Sequence, residues 1–314
     1  MSFTADIRDE LSRIDPKREC CARAELSALI RFDGALTMSA GSTYRLELVT
    51  ESAPVARTII SLAHSVGGLK TELISRRNVL HKTKNNYLIT IPSQARLEPT
   101  LRVVGLSGNA YLSGGIDEAL VRRDCCAIAY LRGAFLGNGF VSDPRADAHF
   151  EITCQSELLA RDLAALMQRL ALVQHFDLEA KCLERRGAWI VYLKGTEPIL
   201  NFLALVGAHK AIFKTYDVRI VKETRNDVNR RVNAEIANQN KASQAALLQL
   251  DTIQRLEAAG VLATLPEGLR EFARLRRDNP ELSLRELGAT ATPPLSKSAV
   301  NHRMRRLEEV ASAL

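Results

Sequence analysis

Near the C-terminus, Ser298, Asn301, His302 and Arg305 recur at spacings of three, one and three. A helix through them presents hydroxyl, amide, imidazole and guanidinium groups on one face. Asn and Arg carry paired hydrogen-bonding groups that match adenine and guanine edges, and each good pair contributes about 1–3 kcal/mol of discrimination. Lys297, Arg303 and Arg306 flank that face and suit phosphate neutralisation. The other reactive type is cysteine. Of six, two pairs are adjacent, Cys20-Cys21 and Cys125-Cys126, while Cys154 and Cys182 stand alone. Neither C-x-x-C nor H-x-x-x-H spacing occurs, so the sequence predicts buried, reduced thiols with no metal, no cofactor and no redox role.

The elements that must position the C-terminal face are three helices within residues 265–314. Leu269, Phe272 and Leu275 give the first an apolar stripe. Ser283 and Glu286 have the spacing of a capping box, so the second begins after Ser283 and buries Leu284 and Leu287. Pro293-Pro294 stops it. Ser296 then caps a third helix whose Val300, Met304, Leu307 and Val310 point inward. These are helix-turn-helix proportions. Ahead of them, residues 219–242 hold five asparagines among Arg225, Arg230, Arg231 and Lys241. That stretch reads as a long polar helix or a partly ordered linker, with Arg230 and Arg231 either along phosphates or on a solvated face. Residues 245–262 regain amphipathic spacing through Leu248, Ile253 and Leu256.

The chain has 314 residues, 46% hydrophobic and 25% charged, enough for about two domains with their own cores. Its net charge of +7 fits a polyanionic partner. The longest apolar run, Val55 to Val66, is broken by Arg57 and His64 and is too short to cross a bilayer. Asp6, Arg8, Asp9 and Glu10 interrupt any leader-like segment, so a cytoplasmic protein without a membrane partner is expected.

A long internal repeat organises the first two thirds. Cys21, Ala22, Ala24, Leu26 and Gly34 fall on Cys126, Ala127, Ala129, Leu131 and Gly139 at a constant offset of 105. Glu47, Ser52, Ala56 and Arg57 then fall on Glu151, Ser156, Ala160 and Arg161, one residue shorter. Each half reads as αββαββα, with Gly34 and Gly139 expected to form left-handed turns after the opening helix.

The opening segments, Leu26 to Gly34 and Leu131 to Gly139, resemble the LAGLIDADG motif of homing endonucleases. Small residues at Ala28, Gly133 and Ala134 suit two helices packed with close backbones. In active members of that family an acid precedes each glycine. Here Asp33 stands in the first copy and Asn138 in the second. A neutral amide is a poor ligand for a hard divalent cation, so both positions are expected to be vestigial and no residue catalytic. An Mg-dependent nicking endonuclease using Asp33 is the alternative.

The cysteine pairs, the duplication, the asparagine-rich helix and the Pro-Pro-containing helix-turn-helix together resemble the WhiA family of bacterial transcription regulators. Cys20-Cys21-Ala22-Arg23-Ala24-Glu25-Leu26 and Pro293-Pro294-Leu295-Ser296-Lys297-Ser298 carry most of that likeness. The resemblance implies an α+β chain: a duplicated αββαββα LAGLIDADG-like saddle followed by an all-α helix-turn-helix domain. The expected boundaries are 1–104 and 105–217 for the two halves, 218–262 for polar linker helices and 263–314 for the DNA-binding domain. It further implies promoter DNA and other transcription regulators as partners, a nucleoid-associated location, and roles in sporulation, cell division and chromosome segregation. The saddle would serve as a DNA-contacting or protein-docking scaffold.

Overall fold

The computed structural model describes residues 2–39, 43–77, 85–106 and 114–314, and divides into two compact units, Met1–Val221 and Lys222–Leu314. In the first unit the elements are α1 (Phe3–Leu11), α2 (Glu19–Asp33), β1 (Gly34–Ser39), β2 (Thr43–Thr50), α3 (Ala53–Gly67), β3 (Glu72–Arg77), β4 (Asn85–Ile91) and α4 (Leu97–Val103). After a short α5 (Glu118–Val121) the scheme repeats as α6 (Asp124–Asn138), β5 (Gly139–Val141), β6 (Phe150–Cys154), α7 (Glu157–Gln174), β7 (Lys181–Arg185), β8 (Ala188–Leu193) and α8 (Thr196–Val206). Both four-stranded sheets are antiparallel and share one order, β1-β2-β4-β3 and β5-β6-β8-β7. The αββαββα duplication is therefore the fold of this unit.

Local sequence explains the elements. In β2, Leu46, Leu48 and Thr50 are buried, and in β6 Phe150, Ile152 and Cys154, the two-residue period of a strand with one face on a core. Ser52 and Ser156, matched in the repeat, cap α3 and α7 by accepting from the main-chain N–H of Val55 (3.4 Å) and Leu159 (3.2 Å).

The opening helices take in both cysteine pairs and the residues before each glycine. They pack on one another through small residues. A Cβ on Gly133 would lie 2.5 Å from the Glu25 carbonyl oxygen and 2.9 Å from the Ala28 Cβ. One on Gly137 would lie 3.0 Å from the Phe32 Cβ. The expectation of left-handed turns at Gly34 and Gly139 is wrong. Both residues are extended, with φ of −92° and −79°, and each begins a strand. Glycine is needed there because a Cβ would run into Ile30 O at the first position and the Phe135 ring at the second.

The spacing also gives no hint of α1. Thr4 anchors it to β5: its hydroxyl donates to Val141 O (2.7 Å) and accepts from Val141 N–H (3.0 Å). The Glu10 carboxylate accepts from the N–H groups of Lys210 and Ala211 and so caps α9 (His209–Ala258). That helix is continuous, matching the long polar helix of the two readings of residues 219–242.

The second unit holds the C-terminal part of α9 with α10 (Glu267–Asp278), α11 (Leu284–Thr290) and α12 (Lys297–Ser312). Its core joins Ile253 and Leu256 to Phe272, Leu287, Val300, Met304 and Leu307. Leu248 does not belong to it: the side chain is 69% exposed, and Ala246 and Gln249 are buried instead. Leu269, Leu275, Leu284 and Val310 are half-buried at the core's margin. The Ser283–Glu286 capping box is complete. Gly288 closes the turn between α11 and α12, accepting at 2.8 Å from the N–H of Leu295, whose carbonyl leaves no room for a Cβ.

Candidate nucleic-acid interface

At the C-terminal ends of α2 and α6 the structure brings the two motif positions together. Asn138 donates from Nδ2 to Phe32 O at 2.5 Å, and Gly137 packs beside Asp33. Into this junction α1 inserts Arg8, whose Nη2 donates to Gly137 O (3.2 Å) and Gly139 O (3.0 Å). Burial raises the Asp33 carboxyl to about 7, and the Arg8 charge opposes that rise only partly. Burial likewise lowers the Arg8 guanidinium, while Asp33 and Glu51 pull it back up.

A hydrolytic divalent cation does not fit here. It needs hard anionic oxygens from both halves, and one half supplies an amide already bonded to main chain. The other supplies a carboxyl that burial keeps partly protonated near neutrality. The positive charge facing Asp33 is a fixed guanidinium. Arg8 is the residue that sequence reasoning missed. Its only signal is a basic residue in an early acidic helix.

Deeper in the seam Glu25 is fully buried and ion-paired at 3.2 Å with Arg132, which also donates to Val206 O. Desolvation lifts the Glu25 carboxyl to about 7 despite that partner. In and beside the strands, three basic groups have carboxylate partners. Arg45 pairs with Glu47 (2.9 Å), His149 with Glu151 (3.0 Å) and Lys181 with Glu179 (2.9 Å). Glu47 and Glu151 are repeat equivalents, so the duplication itself places an acid on each sheet.

In the second unit, α12 buries Val300, Met304, Leu307 and Ala311. Lys297, Ser298, Asn301, His302, Arg305 and Arg306 are all exposed. Two of the predicted contacts are partly engaged. Arg303 is half-buried and donates from Nη1 to Gly268 O (3.1 Å), bracing α10 against α12, and Arg306 pairs with Glu309 (2.7 Å). Arg230 and Arg231 lie exposed on α9 beside Asp227, at 3.7 and 3.0 Å. The N-terminus of α12 is capped by Ser296, which accepts from Ala299 N–H at 3.2 Å. The helix thus offers an amide, a guanidinium and a lysine near its first turns, the end that enters a groove in helix-turn-helix docking.

The expectation of buried thiols holds for Cys21, Cys126 and Cys154, while Cys20, Cys125 and Cys182 are half-buried. Two adjacent residues are a poor chelate, but the seam places both pairs together: Cys20, Cys21, Cys125 and Cys126 have sulfurs within 4.8 Å of one another. Among the described residues no helix is long and apolar enough to cross a membrane.

Three family descriptions match along the chain: the WhiA N-terminal LAGLIDADG-like domain over residues 19–107, the WhiA LAGLIDADG-like domain over 127–225, and the WhiA C-terminal HTH domain over 228–311. The probable cell division protein WhiA of Heliobacterium modesticaldum is 44% identical, covering 100% of this chain and 97% of that one. Its counterpart in Desulforamulus reducens is 42% identical, over 100% and 96%. Full-length DUF199/WhiA from Thermotoga maritima shares the fold, with a TM-score of 0.59 and 23% identity over 100% of this chain and 99% of that one. On this matched order of two LAGLIDADG-like halves and a helix-turn-helix module, the chain belongs to the WhiA family.

Proposed function

We propose that this chain is a DNA-binding transcription regulator that reads double-stranded promoter DNA through α12 and does not cut it. Asn301 and Arg305 are the base-reading residues, Ser298 and His302 lie beside them, and Lys297, Arg303 and Arg306 hold phosphates. Arg230 and Arg231 add phosphate contacts from α9. The observation that carries this reading is the division of α12 into a buried apolar face and an exposed face bearing Asn301 and Arg305. The duplicated domain is a nuclease scaffold kept for contacts rather than catalysis, with Asp33 and Asn138 as its vestiges. The process served is cell division, the role in the names of the relatives, together with sporulation and chromosome segregation. The site of action is the cytoplasm, on the nucleoid, with other transcription regulators as partners.

The test is a binding titration of the full chain on a promoter fragment selected from genomic DNA. Arg305→Ala is expected to weaken that fragment about 5- to 100-fold while leaving random DNA bound nearly as before. Undiminished affinity for the selected fragment rejects α12 as the reading helix.

A further inference from the structure

The four seam cysteines are arranged as donors for one ion. Each pair sits in the first turn of a 15-residue helix, Cys20-Cys21 on α2 and Cys125-Cys126 on α6. The pseudo-symmetric packing that joins the helices converges all four sulfurs to within 4.8 Å, with Cys125 and Cys126 4.0 Å apart. A tetrahedral thiolate site with metal–sulfur bonds of about 2.3 Å has sulfur–sulfur edges of about 3.8 Å. The observed spacing needs only a small contraction to reach that, whereas a disulfide would require about 2.05 Å. All six cysteines are free.

The surroundings match the charge such a site would carry. Four thiolates around a divalent cation leave a net charge of −2. The residues just before the two helices are both arginines. Arg18 Nη1 lies 3.8 Å from Cys125 Sγ, and Arg123 lines the same cleft as Cys20. Two helix N-termini add their own positive field. Cys21 and Cys126 are buried, while Cys20 and Cys125 are half-buried, and a cleft of about 500 Å³ lined by Cys20, Cys126, Arg23, Asp117 and Arg122 gives an ion a way in.

We propose that Cys20, Cys21, Cys125 and Cys126 form a tetrathiolate site for a soft-ligand divalent cation, zinc being the first choice, that pins the two halves of the duplicated domain together at the N-terminal end of their seam. An all-sulfur tetrahedral donor set selects zinc over magnesium or calcium. Binding replaces four S–H bonds with four metal–sulfur bonds and releases four protons to solvent, with no change of oxidation state. Because the cysteines bind as thiolates, uptake of the ion is pH-dependent and strengthens as pH rises. Because only the folded seam assembles the four sulfurs, metal stabilises the native state by mass action.

The experiment titrates the reduced, metal-free full chain with Co²⁺ and then with Zn²⁺. Expected are thiolate-to-cobalt charge-transfer and tetrahedral d–d bands saturating at one ion per chain, erased by Zn²⁺, with a higher melting temperature once zinc is bound. Replacing the half-buried pair by Cys20→Ser/Cys125→Ser is expected to weaken binding at least 100-fold, and Cys154→Ser/Cys182→Ser to leave it intact; circular dichroism checks the fold of each. A wild-type chain that shows no charge-transfer band, and whose thiols react with a maleimide equally fast with and without zinc, overturns the proposal. Bands that survive in Cys20→Ser/Cys125→Ser overturn it too, as does a Cys20–Cys126 disulfide that forms in place of metal uptake.

Discussion

Asn138 donates its side-chain amide to the carbonyl of Phe32 across the seam at 2.5 Å, one residue before Asp33. The amide that removes one metal ligand thereby supplies a hydrogen-bond donor that an ionised carboxylate lacks. Asn138→Asp is expected to cost about 1–3 kcal/mol at pH 8, because an ionised carboxylate would face a carbonyl and lie near Asp33. It is not expected to restore cleavage, since Arg8 still fills the junction. Chemical denaturation reads the first effect, and supercoiled plasmid incubated with Mg²⁺ reads the second. Nicking by the variant, or by the wild-type chain in a manner lost in Asp33→Asn, would establish a working nuclease centre.

Asp33 should make stability pH-dependent. Its carboxyl binds a proton more tightly when folded, at about 7 against an ordinary 3.8. It therefore contributes stability in full below pH 4, and that contribution is lost as pH rises through 7. Asp33→Asn removes the loss. The variant is expected to match wild type at pH 4 and to exceed it at pH 8 by roughly 2 kcal/mol, after discounting for the partial exposure of the group. Glu25, also held up to about 7, contributes with the same sign, so some slope between pH 4 and 7 should persist in Asp33→Asn. Urea denaturation at a series of pH values measures both.

Gly133→Ala is expected to loosen the seam. The added Cβ would meet the Glu25 carbonyl, a main-chain atom within a helix that cannot swing aside. Overpacking of this kind costs about 1–3 kcal/mol. A thermal melt of the full chain should show the loss. An unchanged melting temperature would mean that the helices are farther apart than described.

Leu307→Ala should destabilise the second unit by roughly 2–5 kcal/mol, since Leu307 is fully buried in a small core. Ser283→Ala removes one arm of the capping box and should cost about 1 kcal/mol. DNA binding should fall with the unfolded fraction in the first variant and stay near normal in the second. Denaturation followed alongside DNA affinity separates the two.

Phosphate contacts and base contacts separate by salt. Replacing Arg230 and Arg231 together should lower affinity evenly across DNA sequences and flatten its salt dependence by about two counterions. Asn301→Ala should instead relax sequence preference with little change in salt slope. Affinities measured over a range of KCl concentrations on selected and random fragments distinguish these outcomes.

Much of the fold lies open in the chain itself because its signals are local or repeated. The offset joining Cys21 to Cys126 and Gly34 to Gly139 announces the duplication. Ser283 and Ser296 mark helix starts through hydrogen bonds to main chain three residues on. Val300, Met304 and Leu307 fix the inward face of α12, and so the outward one. What packing alone decided are relationships across long separations that leave no periodic trace. The conformation of Gly34 and Gly139 depends on what lies against them, which is why a strand start and a left-handed turn look alike in sequence. Arg8 reaches the end of the seam only because Thr4 seats α1 on β5, 137 residues away. Two cysteine pairs, each unremarkable in its own helix, become one four-sulfur cluster when the seam aligns both N-termini. Geometry between distant segments is set by close packing of small residues at one interface, and that interface exists only once both halves have folded.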